Sequence, residues 1–402
     1  MRAVTRLLDE QVDLNDVAGS DGFLFVRDGV GFAGRGVSTR IDADECELAL
    51  AAIDHRNETD LRVGPIALGS MPFDATKRTT LIIPRVIVGK DAHGNSWITT
   101  ISSASETEAA HDGLDIASQL APAPIPSVAT YAIRPLTPQS VHRKAVLVAR
   151  DAVRRGDITK AVIARAVEVE SSEPFDVHAV LLRLKATFSQ SYRYSIDGFI
   201  GASPELLLSV DDDVVASHPL AGTAPRTGDP AVDRRAADHL LASMKDQIEH
   251  RVVIDVIHDQ LLPWCSYLDW EAEPSIVQVA NVQHLGTRIE GRLHKSRPPL
   301  LDMVRQLCPT PALGGHPRED ALRLIAEVEG RDRGAYGGAV GWVDTFGNGT
   351  WAVAIRCALL SEDRTRAQLF AGGGIVAESD PDAELAETQA KFQAMLSALI
   401  RA

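Results

Sequence analysis

The sequence has few cysteines and no long apolar run. Its first residues, "MRAVTRLLDEQVDLND", lack the apolar stretch of a signal peptide, and no window of about 18 apolar residues predicts a membrane span. The four cysteines, Cys46, Cys265, Cys308 and Cys357, lie far apart without a CxxC pair, which favours neither a zinc site nor a disulfide framework. We therefore expect a cytoplasmic protein whose thiols are reduced, buried or incidental.

Basic residues are also scarce relative to acidic ones. The chain of 402 residues has 41 Lys and Arg against 55 Asp and Glu, which gives a formal net charge of -14. This balance disfavours a general nucleic-acid or anionic-membrane surface, so an anionic ligand would need a local basic pocket. The composition, 45% hydrophobic and 24% charged, is typical of a globular protein that can bury a large core.

Prolines concentrate in residues 119–139, which we expect to form neither helix nor strand ladder and to separate two halves of the chain. Residues 79–90 and 96–104 before it predict strands. Alternating helices and strands predict a mixed-sheet α+β fold for the part after it. The patterns there indicate helices at 140–155, 233–262, 317–330 and 383–400, and strands at 160–170, 205–210, 214–218, 336–343, 350–360 and 367–376.

The helix over residues 233–262 shows an apolar stripe at helical spacing. We assign that stripe to Leu241, Met244, Ile248, Val252 and Val256. The acidic pair of the same helix would then lie away from the buried face.

Two of the predicted helices carry acidic pairs at a spacing of three residues. These are Asp246 with Glu249, and Glu384 with Glu387, and Lys391 lies on the same helical face as the second pair. Carboxylate oxygens suit Mg²⁺, which takes one or two of them and keeps waters or substrate oxygens. The alternative is that both faces are simply exposed to solvent.

A lysine and a glutamate lie at strand ends. Lys160 opens the apolar run "KAVIAR", where it must be desolvated, paired or next to a cavity, and desolvation would let it act as a general base. The alternative is a lysine whose ammonium reaches the solvent. Glu205 begins a strand after a Ser-Pro turn, and it is either solvated or catalytic.

Two further features could bind an anion. Arg356 lies within an apolar strand, which indicates a bound carboxylate or a structural acid as its partner. The run "AGGGIV", residues 371–376, offers backbone N–H groups that an anion could approach closely.

Nine segments in order resemble the chorismate-utilising enzymes, and most closely the isochorismate synthases. They are "KAVIAR", "GASPELLL", "PLAGTA", "KDQIEH", "PTPALGG", "YGGAVGW", "AIRCA", "AGGGIV" and "ELAETQAK". The resemblance covers residues 140–400, and residues 1–125 match only loosely. It implies one domain over residues 1–402 with the anthranilate synthase component I-like α+β fold, in which helices flank a large antiparallel or mixed sheet.

The resemblance also assigns roles to residues. It implies that Lys160 is a general base toward water and that Glu205 is the general acid for the departing ring hydroxyl. It makes Glu249 and Glu387 ligands of Mg²⁺, with Asp246 and Glu384 completing or supporting the shell. The remaining positions would bind chorismate: Arg356, Lys391, Tyr336, Gly373, Gly374, Thr223, Gly222, His284, Ala312 and Leu313.

The implied activity is the Mg²⁺-dependent conversion of chorismate to isochorismate by a monomer. A lysine at position 160 favours water as the nucleophile, because the ammonia-using relatives have other residues there. The alternatives are a salicylate synthase, which also eliminates pyruvate, and a chorismate-binding relative without turnover. Two positions depart from the pattern: Cys308 stands where these synthases usually have histidine, and Met244 where some relatives have an acid.

Overall fold

The computed structural model describes residues 1–103, 120–121, 129–279 and 282–400. The strands are β1 Arg2–Leu7, β2 Phe23–Arg27, β3 Val30–Asp42, β4 Asp54–Asn57, β5 Ile66–Met71, β6 Thr80–Lys90, β7 Ser96–Ser102, β8 Tyr131–Pro135, β9 Lys160–Ser171, β10 Tyr192–Ile196, β11 Phe199–Ser203, β12 Leu206–Asp211, β13 Val214–His218, β14 Leu220–Pro225, β15 Cys265–Trp270, β16 Ser275–Val279, β17 Val282–Gly286, β18 Ile289–Leu293, β19 Gly315–His316, β20 Ala339–Asp344, β21 Gly349–Val353, β22 Cys357–Leu360 and β23 Arg366–Ile375. The α-helices are α1 Leu14–Ala18, α2 Cys46–Ala51, α3 Gln139–Arg155, α4 Val177–Thr187, α5 Pro230–Ala242, α6 Met244–Leu261, α7 Leu300–Leu307, α8 Arg318–Glu329 and α9 Pro381–Ile400.

Twenty of the described strands belong to one sheet that folds back at β6. One run of antiparallel pairings leads from β8 through β9, β23, β22, β11, β10, β2 and β3 to β6. A second run leads from β15 through β18, β13, β12, β21, β20 and β5 to the same strand. Strands from residues 1–103 therefore share a sheet with the part of the chain that carries the motifs.

A large apolar core fills the space enclosed by these two runs. It includes Phe32, Leu81, Tyr194 and Trp351, each less than a tenth exposed. Burying each large apolar side chain stabilises the fold by about 1.5–3 kcal/mol. The prediction of a mixed-sheet α+β fold with flanking helices is confirmed, because α3, α8 and α9 pack on β9 and β23.

The elements that hold Lys160 match their prediction. Helix α3 ends at Gly156, whose φ of +79° is the left-handed conformation that terminates helices. After a short turn β9 begins at Lys160, and its neighbours on both edges are strands. The lysine therefore enters the sheet at a buried position.

The single helix predicted over residues 233–262 is wrong, because the chain forms α5 and α6 with a break at Ser243. Ser243 adopts extended backbone angles, and its hydroxyl accepts the Asp246 N–H, so it caps α6. The predicted stripe is also wrong, since Met244 and Ile248 are 68% and 59% exposed. The buried face of α6 instead contains Val253, Ile254, Ile257 and Leu261.

The continuous strand predicted over residues 350–360 is wrong as well. It is divided into β21 and β22, and Arg356 lies between them with a φ of +52°. This left-handed conformation is uncommon for residues other than glycine and turns the backbone out of the ladder. Its carbonyl still accepts the N–H of Ala202, which anchors the turn to β11.

The proline-rich segment does form a ladder, contrary to prediction. Tyr131–Pro135 pairs with Val167–Ser171 of β9, and Pro135 occupies the last position of β8. Proline is tolerated at strand ends and edges because no ladder N–H is then lost. Residues 119 and 122–128 of the same segment lie outside the described residues.

In the described part of the chain, none of the helices combines the length and apolarity needed to cross a bilayer.

Candidate active site

A cavity of about 440 Å³ lies between the ends of β9, β14 and β23 and helices α5, α6 and α9. It brings together all but one of the predicted site residues. Those that line it are Lys160, Glu205, Gly222, Thr223, Asp246, Glu249, His284, Ala312, Leu313, Tyr336, Arg356, Gly374, Glu384, Glu387 and Lys391. Gly373 is the exception.

Lys160 is a buried lysine with a carboxylate partner. It is 4% exposed, and its Nζ donates to Oε1 of Glu249 at 2.6 Å. This bond joins the first residue of β9 to the second turn of α6. Of the two readings of Lys160, the structure therefore excludes a side chain that reaches the solvent.

Glu205 is a buried carboxyl group that keeps its proton at neutral pH. It directly precedes β12, and its carbonyl accepts the N–H of Val353. Burial raises the pKa of Glu205 to about 8, although the Leu220 N–H at 3.4 Å and the charge of Lys160 both favour the carboxylate. A protonated carboxyl group in a cavity can donate a proton.

Helix α9 directs the face with the second acidic pair into the cavity. Lys391 Nζ donates to Oε1 of Glu387 at 2.6 Å and to the carbonyl of Gly372 at 2.7 Å. Burial alone would raise the pKa of Glu387, but the Lys391 ammonium lowers it below its ordinary value. Glu384 is 8% exposed and accepts a hydrogen bond from Ser379 Oγ at 2.7 Å. The face is therefore not simply exposed to solvent.

Arg356 and His284 form a second polar cluster. His284 Nδ1 donates to the carbonyl of Gly222 at 2.9 Å, because a carbonyl can only accept. Burial and the nearby Arg356 charge lower the pKa of His284 to about 3, so the ring is neutral. Its Nε2 then accepts from the Arg356 guanidinium at 3.4 Å, which fixes this cation at the wall.

The remaining predicted side chains form walls of the cavity. Tyr336 stacks on Phe370 with ring centroids 5.3 Å apart and an angle of 16° between the planes. Thr223 Oγ1 lies 3.2 Å from His284 Nδ1. Ala312 and Leu313 belong to the loop that precedes β19, and both reach the cavity.

The glycine run is part of β23 and does not form the predicted nest. Gly373 faces Ile163 in the ladder, and Val162 donates its N–H to Gly314 on the other side of β9. Because N–H directions alternate along a strand, the N–H of Gly373 bonds β9, whereas that of Gly374 points away from it. The prediction that both N–H groups would hold an anion is therefore wrong for Gly373.

The glycines give neighbouring groups room to approach the strand. A Cβ on Gly374 would lie 2.6 Å from Cε of Lys160, and one on Gly373 would lie 2.6 Å from Oε2 of Glu384. Both distances are too short for a side chain. The run therefore allows Lys160 and α9 to approach the same stretch of β23.

The carboxylates of the cavity suit a hard cation. Asp246, Glu249, Glu384 and Glu387 all line it, and a Cβ on Gly222 would lie 3.3 Å from Asp246 Oδ1. Over the described ranges, no three His, Cys, Asp or Glu side chains converge as a ready metal cluster. Magnesium requires only one or two carboxylates beside water and substrate oxygens, so this donor set fits it.

The residues that depart from the family pattern lie outside this chemistry. Cys308 is 2% exposed, and burial raises the pKa of its thiol to about 12. Met244 lies on the exposed side of α6. All four cysteines are buried and none forms a disulfide, which confirms the prediction of buried, reduced thiols.

Sequence reasoning did not identify several residues of the cavity, among them Gly372, Phe370 and His239. Gly372 contributes a carbonyl, Phe370 a stacking ring, and the exposed His239 of α5 lies at the opening. The alternation of "LFAGGGIV" could have assigned Gly372 and Gly374 to one edge. No local pattern distinguishes His239 from other exposed helical residues.

Comparisons with known proteins agree with this geometry. The sequence model of the family described as "Chorismate binding enzyme" matches residues 37–400. "Putative isochorismate synthase MenF" of Mycobacterium tuberculosis is 39% identical over 91% of this chain and 92% of that protein. "Isochorismate synthase DhbC" of Bacillus subtilis is 34% identical over 83% and 81%.

Solved structures confirm the predicted fold. The crystal structure of anthranilate synthase component I from Streptococcus pneumoniae has a TM-score of 0.73, with 22% identity over 97% of this chain and 92% of that one. At this identity the likeness concerns the fold alone. Because the family model covers most of the sequence and relatives above 30% identity align over most of it, the chain belongs to the chorismate-binding enzymes.

Proposed function

We propose that this protein is an isochorismate synthase that converts chorismate to isochorismate with Mg²⁺. The observation that carries the proposal is the presence of a buried lysine and a protonated carboxyl group in one cavity. Lys160 and Glu205 both line it, and burial raises the pKa of Glu205 to about 8. An exchange of hydroxyl positions on a ring needs such a base and such an acid.

In this proposal Glu205 is the general acid. Its proton passes to the hydroxyl group at ring position four, and the bond from that carbon to oxygen breaks as water leaves. The carboxyl group is protonated at neutral pH because it is buried, which is the state that the step requires.

Lys160 is the proposed general base. In its neutral amine form it accepts a proton from water while the water oxygen bonds to ring position two and the double bonds shift. A neutral amine can donate a hydrogen bond to Glu249 while its lone pair accepts the proton of the water. One water enters and one leaves, which makes the net reaction an isomerisation.

The cations of the cavity suit a dicarboxylate such as chorismate. Arg356 is held by His284, and Lys391 is held by Glu387 and the Gly372 carbonyl. We assign the enolpyruvyl carboxylate to Arg356, Tyr336 and the N–H of Gly374. Such charge-assisted contacts orient the ring between the acid and the base.

Magnesium would be held by Glu249 and Glu387, with Asp246 and Glu384 supporting the shell. When bound, the ion supplies positive charge beside the ring carboxylate of the substrate. The two ligands accept lysine hydrogen bonds in this structure, and both side chains lie at the cavity wall.

Relatives support the choice within the family. The proteins from Mycobacterium tuberculosis and Bacillus subtilis, described above, are both named as isochorismate synthases. Their names do not decide between release of isochorismate and further loss of pyruvate, so the products must be identified directly.

The test is to incubate the purified protein with chorismate, with and without Mg²⁺, and to separate the products by chromatography with mass detection. We expect a Mg²⁺-dependent product of unchanged mass. Salicylate with pyruvate would instead identify a salicylate synthase. Absence of any product would identify a chorismate-binding relative without turnover.

A further inference from the structure

A buried ion pair behind the cavity joins Arg333 to Glu329. The two side chains are 1% and 6% exposed, and Arg333 Nε and Nη2 donate to the two Glu329 oxygens at 2.9 and 2.5 Å. The guanidinium lies 4.2 Å from the centre of the Phe73 ring. None of the steps proposed above uses this pair.

The pair also satisfies three backbone groups on two separate segments. Arg333 Nη2 donates to the carbonyl of Val162 at 2.7 Å, and Nη1 donates to that of Leu313 at 2.9 Å. Glu329 Oε1 accepts the N–H of Ala164 at 2.7 Å. One planar guanidinium thus bridges strand β9 and the loop before β19.

These backbone groups belong to parts of the cavity wall. Val162 lies two residues after Lys160 on β9, and both line the cavity, as does Leu313. The carbonyl of Arg333 also accepts the N–H of Tyr336, another wall residue. The pair therefore contacts the segments that carry Lys160, Leu313 and Tyr336.

Stability alone does not account for a charged pair at this place. Replacing a buried ion pair by apolar residues of similar volume is often neutral or stabilising. Apolar side chains cannot, however, bond the Val162 and Leu313 carbonyls or the Ala164 N–H. What the charged pair adds is a fixed distance between β9 and the loop.

We propose that Arg333 and Glu329 are positioning residues that set the distance between Lys160 and the Leu313 wall. This inference rests on the proposed function. Neither side chain lines the cavity, so the pair acts on turnover through the placement of Lys160. A displacement of about 1 Å can lower a catalytic rate by roughly a hundredfold.

The test compares kcat and KM for chorismate in four variants: Arg333→Lys, Glu329→Gln, the double variant Glu329→Leu with Arg333→Met, and Arg193→Met. The double variant removes both charges together, so it avoids a lone buried charge that could prevent folding. Arg193→Met is the control, since Arg193 is 1% exposed, bonds Asn15 and lies outside the cavity lining. Melting temperatures measure stability in parallel.

We expect kcat of the double variant to fall by about ten- to a hundredfold with a nearly unchanged KM. Arg333→Lys keeps the charge but loses the planar fork, and its kcat should lie between those of the double variant and the wild type. Arg193→Met should lower only the melting temperature.

Equal kcat values for the wild type and all Arg333 and Glu329 variants would overturn the positioning role. A loss of melting temperature without a loss of kcat would do the same, because it would identify a purely structural pair. If the wild type formed no isomer, the proposed function would be overturned together with this inference.

Discussion

Two glutamates in the same cavity have pKa values shifted in opposite directions. Burial raises the pKa of Glu205 to about 8, where few charges oppose it. Burial would also raise that of Glu387, but the Lys391 ammonium, bonded at 2.6 Å, lowers it. We call Lys160 and Glu205 the proton-transfer side, and Arg356, Glu387 and Lys391 the anion-holding side.

This contrast separates two tasks within one site. An acid must keep its proton until the substrate needs it, and burial without a hydrogen-bonded cation achieves that for Glu205. A group that holds a metal or balances a cation must stay charged, and the lysine beside Glu387 achieves that. The experiments below change one side at a time.

The largest expected effect comes from the proton-transfer side. Lys160→Ala removes the proposed base, and we expect kcat to fall by about a hundred- to ten-thousandfold while the protein still folds. Turnover of chorismate and circular dichroism measure the two outcomes. Lys144→Ala is the matched control, because Lys144 lies exposed on α3. Activity of Lys160→Ala equal to that of the wild type would exclude its role as base.

On the anion-holding side, Arg356→Ala should act on binding. The loss of a charge-assisted contact to a carboxylate costs about 1.5–3 kcal/mol, so KM should rise by roughly ten- to a hundredfold. Alanine keeps the Cβ at a φ of +52°, so the backbone conformation is no more strained than with arginine. Arg366→Ala, at the exposed start of β23, is the control. A lower kcat with an unchanged KM would contradict a role in ground-state binding.

A smaller effect is expected for Glu387→Gln. The change removes one negative charge from the proposed metal site but keeps the shape of the side chain. We expect the Mg²⁺ concentration for half-maximal activity to rise by about tenfold, with kcat largely recovered at saturating Mg²⁺. Glu378→Gln, an exposed residue before α9, is the control. An identical Mg²⁺ titration for Glu387→Gln and wild type would exclude ligation.

Parts of the fold followed directly from local patterns. Helix α3, strand β9 and helix α9 were predicted nearly to their ends, because each combines a clear periodicity with a turn at its boundary. The breaks at Ser243 and Arg356 were missed. Both depend on backbone conformations that apolar periodicity does not register, namely a helix cap and a left-handed residue.

The site was predictable as a set of residues but not as a set of contacts. Motif resemblance identified the residues that meet in the cavity, since it carries information on distant positions. It did not predict that Lys160 bonds Glu249 or that Lys391 bonds Gly372, because these contacts join separate elements. The Arg333–Glu329 pair was missed because its sequence spacing equals that of an ordinary surface ion pair on a helix.

The smallest expected effect tests the raised pKa of Glu205 without measuring activity. The folded protein binds this proton more tightly than the unfolded chain, whose pKa stays near 4.5. The stabilising contribution is therefore complete below pH 4.5 and is lost as the pH rises through about 8. Glutamine at this position cannot ionise, so Glu205→Gln should not show that loss.

We therefore expect the melting temperature of Glu205→Gln, relative to wild type, to increase by a few degrees between pH 5 and pH 9. Glu387→Gln provides the comparison, because the pKa of Glu387 is shifted in the opposite direction. Its melting temperature relative to wild type should stay constant over the same range, because the stabilising charge of the wild-type carboxylate is already complete above pH 4.5 and is lost only at lower pH. If the melting-temperature difference between Glu205→Gln and wild type did not change with pH, the pKa of Glu205 would not be raised and Glu205 would be ionised at neutral pH. The pKa values of Glu205 and Glu387 would then not be shifted in opposite directions.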